Sequence, residues 1–144
     1  MPLPEEPYRY FVLNKPYNMV SQFVSSHKVR LLCHLQFAFP EGTHAIGRLD
    51  KDSEGLLLLT TDRRITRLLF QSKVPHFRKY LIQVRGEVNE AVVEQLRNGV
   101  AIPVAEDTDY VTKPCEVEHV QEPEGLFSNG NELHERVPRS WLTI

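Results

Sequence analysis

The residue with the clearest chemical potential is Asp50, in the run Gly47-Arg48-Leu49-Asp50-Lys51-Asp52-Ser53-Glu54-Gly55, which leads directly into Leu56, Leu57, Leu58 and Leu59. Glycines at both ends permit a tight backbone. A leucine run this short suits a strand buried on both faces and cannot cross a bilayer. The expectation is a carboxylate on a short loop anchored to the core, with Arg48 and Lys51 close in sequence. Such placement favours an ionised, positioned carboxylate over a solvated surface charge.

Three other chemistries compete for the same loop. Asp50, Asp52, Glu54 and Gly55 match the first, third, fifth and sixth positions of a calcium loop, but the twelfth is Thr61 where a bidentate Glu is needed. That reading fails. Asp50 and Asp52 as a hydrolytic pair would need both carboxylates to converge on one bond, which a spacing of two does not ensure. The third competitor is a plain ion pair between Asp50 and Arg48, the commonest fate of an arbitrary aspartate.

The elements that would hold this loop follow from pattern. Tyr8 to Leu13 reads as a strand ending at Asn14-Lys15-Pro16, Met19 to Val24 as a second, and Lys28 to Phe37 as a short helix. Lys15 reads by default as a solvated turn lysine. Thr43 to Gly47 enters the loop and Gly55 to Thr60 leaves it. Asp62 caps a helix through Gln71 that buries Ile65, Leu68 and Leu69 and exposes Arg63, Arg64 and Arg67. Arg78 to Val84 reads as a strand with Tyr80, Ile82 and Val84 on one side. Asn89 caps a helix over Glu90 to Asn98, with Val92, Val93 and Leu96 inward and Gly99 as its stop. Pro114 to Val120 and Ser140 to Ile144 read as strands, and Asn129-Gly130 as a turn.

Bulk properties narrow the class. The chain has 144 residues, 41% hydrophobic and 25% charged, as expected of one globular domain behind a flexible lead-in at residues 1–7. Its net charge of −2 hides an asymmetry: seven basic and no acidic residues from Arg63 to Arg85, against nine acidic residues and one lysine from Glu106 to Glu135. That distribution permits a cationic face on a near-neutral protein, and equally fits helix and strand surfaces that are simply charged. Cys33 and Cys115 form no metal-ligand spacing and suit a reducing cytoplasm. The first residues do not read as a signal peptide, and no P-loop or dinucleotide fingerprint is found in the sequence.

The pattern Gly47-Arg48-Leu49-Asp50, Ser53, Gly55 through Thr61 resembles the signature of the RsuA-type ribosomal RNA pseudouridine synthases. Asn14-Lys15-Pro16 and Lys79-Tyr80 resemble that family's first and third motifs, in the right order. Without a preceding S4-type RNA-binding domain, the nearest branch is the RluE-like one, which modifies large-subunit RNA. The resemblance implies an α+β catalytic domain over residues 8–144, a mixed, mainly antiparallel sheet flanked by helices. It implies uridine-to-pseudouridine isomerisation with no cofactor and no metal, on ribosomal RNA, in the cytoplasm and with no membrane contact.

It also implies roles. Asp50 attacks or activates the sugar C1′; Arg48 holds the uridine out of the stack; Tyr80 stacks on the uracil and helps proton transfer. Lys15 and Lys79 bear on phosphate or on packing at the active site, and Arg63, Arg64 and Arg67 supply cations for RNA. Two departures stand out. Arg63 occupies a place where the family usually has glycine, and a C-terminal arginine-bearing motif that pairs with the aspartate would lie beyond Ile144. The expectation is weak or absent turnover by these 144 residues alone, with a sheet edge prone to association. The rival reading is a catalytically silent RNA-binding fragment.

Overall fold

The computed structural model describes residues 7–126 and 133–144; the expected turn at Asn129-Gly130 lies outside them. The chain forms two compact units, one through His76 and one from Phe77. The fold class is α+β, and every strand pair described is antiparallel.

In the first unit β1 (Tyr10–Lys15) and β2 (His44–Ile46) flank a central β3 (Gly55–Thr60). Register pairs Lys15 with Gly55, Val12 with Leu58, and Tyr10 with Thr60. Period-two alternation sends Leu57 and Leu59 into a core with Met19 and Leu32, onto which Phe11, Leu13 and Leu49 pack. Leu56 and Leu58 point the other way and are 68% and 38% exposed, so β3 is covered on one face only. The expectation of burial on both faces was wrong because an antiparallel sheet needs only one covered side.

Residues Met19 to Val24 make no ladder. Their bonds go one at a time to different neighbours: the Met19 amide to the Lys51 carbonyl, the Val20 amide to Arg30, and the Gln22 carbonyl from Leu32. The helix expected from Lys28 to Phe37 is reduced to one 3₁₀ turn, Leu32–His34. Phe37 and Phe39 instead join Phe11 and Phe23 in edge-to-face contacts with centroids 4.6–5.7 Å apart. Aromatic packing overrides the helical spacing.

Helix α1 (Arg64–Phe70) follows β3. Asp62, the expected N-cap, lies one residue too early and accepts the Arg64 amide at 3.0 Å; the N-cap is Arg63, in an ordinary right-handed conformation at φ −62° and with no side-chain cap bond. No glycine is needed there. Leu68, expected inside, is 62% exposed, while Ile65 and Leu69 are half-buried. Asp62 itself is buried and takes two more bonds from Arg64, from Nε and Nη2, both at 2.9 Å, and one from the Tyr10 hydroxyl at 3.2 Å.

The Arg64 bonds hold the Asp62 carboxyl at about 2 against the opposing push of burial. A carboxyl depressed in the folded state stabilises fully above the unfolded carboxylate range near ~4 and loses that contribution as pH falls toward its folded value. The stability gap between wild type and Asp62→Asn, measured by urea unfolding, is therefore expected to hold from neutral pH to about 5 and to close progressively below that. A gap that stays constant down to pH ~2 would contradict the assignment.

In the second unit β8 (Arg139–Thr143) lies between β4 (Leu81–Arg85) and β7 (Glu118–Val120). Helix α2 (Glu90–Asn98) covers one face, with Val93 packed on Val117 and Leu142. Asn89 caps it through the Val92 amide and Gly99 ends it, both as expected. Val92 is 40% exposed, however, and only Val93 is fully inside. The strand expected from Pro114 is confined to its last three residues. An exposed hairpin, β5 (Ala101–Ala105) and β6 (Thr108–Val111), completes the unit.

Candidate active site

Asp50 lies between β2 and β3, at the end of the sheet where β1 finishes. Two features shape its loop. Gly47 sits at φ +78°, and a Cβ there would stand 3.1 Å from the Phe70 ring. Gly47→Ala should therefore cost about 1–2 kcal/mol through the left-handed backbone alone. The check is a lower urea midpoint at unchanged slope. After the glycine, Asp50 closes a turn by accepting the Ser53 amide at 3.1 Å through its backbone carbonyl.

The backbone on either side of Asp50 is tied down. Ser21, buried, donates its hydroxyl to the Leu49 carbonyl at 2.9 Å and accepts the Leu49 amide at 3.0 Å. The Lys51 carbonyl takes the Met19 amide at 3.2 Å and, more weakly, the Lys15 ammonium at 3.4 Å. Lys15 is fully buried, donating also to the carbonyls of Met19 at 2.6 Å and Pro16 at 3.0 Å. Burial pulls its pKa below the ordinary lysine value, while the charges of Glu54, Asp52 and Asp50 pull it back up.

Lys15 is thus no solvated turn lysine. All three of its hydrogen bonds go to backbone carbonyls. Between phosphate contact and packing, its geometry favours packing. Its role was only half legible: the strand-end proline was visible, but the carbonyl of Lys51 comes from 36 residues away.

Asp50 and Arg48 are both exposed, and no ion pair joins the Asp50 carboxylate to Arg48 or Lys51. The simple ion-pair reading has no support in the geometry. The residue is exposed on a loop whose backbone is bonded on both sides, an arrangement that can hold a reactive group in place.

The basic helix is divided. Arg64 is committed to Asp62 and lies over the Tyr8 ring at 4.6 Å, so it is not the free surface cation that was expected. Arg63 and Arg67 are exposed. Since β3 spans six residues, or about 20 Å, Arg63 stands at the end of the sheet opposite Asp50. The Phe70 ring beside Gly47 brings the other end of α1 back to the loop.

Tyr80 and Lys79 belong to the second unit and are exposed. Tyr80 precedes β4 and exchanges two backbone bonds with Ile144, at 2.8 and 2.9 Å. Tyr80 is 39% exposed, although Ile82 and Val84 on the same side of the strand pack inward. That separates it from plain core packing. Ser21 went unnoticed in the sequence, where an isolated serine carries no signal. Among the described residues, no three His, Cys, Asp or Glu side chains converge as a metal site, and no helix is long and apolar enough to cross a membrane.

The profile described as RNA pseudouridylate synthase matches residues 9–141. A ribosomal large subunit pseudouridine synthase E of Vibrio vulnificus is 36% identical over 138 residues, covering 94% of this chain and 56% of the relative. Its namesake in Xanthomonas axonopodis pv. citri is 33% identical over 135 residues, covering 92% and 68%. A crystal structure of a pseudouridylate synthase superposes with a TM-score of 0.60 at 25% identity, over 96% of this chain and 52% of that one. The chain thus spans little more than half the length of the Vibrio relative and of the superposed structure.

Proposed function

The chain belongs to the RNA pseudouridylate synthase family, and we propose that it isomerises a uridine of ribosomal RNA, of the large subunit, to pseudouridine through Asp50. The observation that carries this reading is the exposed Asp50 carboxylate on a loop fixed on both sides. In the reaction the N1–C1′ bond breaks, the uracil turns, a C5–C1′ bond forms, and the C5 proton leaves while N1 gains one. The atoms balance without any co-reactant. Asp50 acts at C1′ as nucleophile or as electrostatic partner.

The remaining roles are those the family resemblance implies. Arg48, exposed two residues before Asp50, holds the uridine out of its stack, which chemistry on a base within RNA requires. The accessible ring of Tyr80 offers a stacking face and a hydroxyl for proton transfer. Arg63, Arg67 and Lys79 contact phosphates, those of Arg63 lying away from the reacting nucleotide. Lys15 holds the loop. Residues 8–144 act as the catalytic domain, and the ribosomal substrate places the protein in the cytoplasm.

The test uses ribosomal RNA carrying tritium at uridine C5, since that hydrogen is lost only if the base rejoins through C5. Slow, enzyme-dependent release is the expected result for the 144-residue chain. Tight RNA binding with no release above background would overturn the catalytic reading and leave an RNA-binding module in its place.

A further inference from the structure

The Ser21 hydroxyl is bonded to both backbone groups of the residue that precedes Asp50. We infer that Ser21 is a positioning residue for the Asp50 carboxylate, acting through Leu49; the inference rests on the role proposed for Asp50 above. The hydroxyl donates to the Leu49 carbonyl at 2.9 Å and accepts the Leu49 amide at 3.0 Å. A single side chain thereby does what a neighbouring strand would do for one residue: it satisfies both backbone groups and fixes the peptide planes on either side of Leu49. One of those planes ends at Asp50.

Ser21 is well placed to be rigid. It is 6% exposed, and Met19, two residues earlier, is fully buried in the core of the first unit. The Met19 amide bonds the Lys51 carbonyl, so residues 19–21 hold the backbone both before and after Asp50. The two attachments differ in kind. The one at Lys51 is backbone to backbone and survives most substitutions; the one at Leu49 depends wholly on a hydroxyl. Removing that hydroxyl leaves the aspartate chemically intact and hinges its loop on one side only.

The consequence should appear in the chemical step. Misplacing a reacting group by an ångström costs on the order of 100-fold in rate. Ser21→Ala is expected to lower the single-turnover rate of C5 tritium release by about 10- to 100-fold with KM changed less than threefold. Ser21→Cys, close in size and with a weak donor and acceptor, should recover part of that loss. In the same proteins the Leu49 amide should exchange with solvent at least about tenfold faster in Ser21→Ala, while Leu57 and Leu59 of β3 keep wild-type protection.

A Ser21→Ala protein with wild-type turnover would overturn the inference. So would one in which the β3 amides loosen together with Leu49, since that marks general destabilisation. A wild-type chain that releases no tritium would overturn the proposed function, and with it the catalytic part of this inference. The hold on Leu49 would still be decided by amide exchange: selective loosening supports it and unchanged Leu49 protection rejects it.

Discussion

Asp50→Asn is expected to reduce pseudouridine formation by about 10³-fold or more, to background in the tritium assay. The side chain is exposed and makes no ion pair, so the substitution breaks no packing and the fold should survive. RNA affinity should stay within about twofold or rise slightly, because a negative charge has been removed from the site proposed to take the RNA. Equal release by the two proteins would remove Asp50 from the mechanism. No release from either, with equal RNA binding, would select the silent module.

Lys15→Met should give the largest loss of stability, about 2–4 kcal/mol by urea unfolding, from roughly 1–3 kcal/mol for each buried group left unpaired. Methionine keeps the length of the side chain but donates nothing. The carbonyls of Pro16 and Met19 then lose the bonds at 3.0 and 2.6 Å, while Lys51 keeps the Met19 amide. One effect works in the opposite direction: methionine avoids the cost of burying an ammonium, which burial already pulls toward neutrality. That relief does not restore two orphaned acceptors. Lys79→Met, at an exposed position, is the control and should change stability by no more than about 0.5 kcal/mol. Equal effects at the two sites would show that the buried bonds of Lys15 matter little.

Much of the framework could be read from local pattern. The leucine run, the Asn89-to-Gly99 helix and the final strand follow from alternation, capping and breakers, which act over a few residues. The Asp50 loop was legible for the same reason: two glycines and a charged turn beside a leucine strand. What escaped was set by contacts distant in sequence. Lys28 to Phe37 has helical spacing, yet Phe37 and Phe39 meet Phe11 and Phe23 from two other segments edge to face and hold its end extended. Arg64 looked like one more surface cation until Tyr8, Tyr10 and Asp62 came together around it. Ser21 has no meaning without Leu49, 28 residues on.

The buried ammonium of Lys15 also bears on how β1 finds its partner. Tyr10 and Val12 face one way and Phe11 and Leu13 the other, opposite a β3 whose leucines are apolar on both sides. Hydrophobicity alone would tolerate a slip of one residue, which exchanges the two faces of the strand. Such a slip would carry Lys15 out to water and put Asn14 against the core, leaving the carbonyls of Pro16 and Met19 without their donor. Lys15, with the Tyr10 hydroxyl on Asp62, thus selects the strand pairing in an otherwise permissive pattern. That choice of register also sets where Gly55, and the loop before it, come to rest.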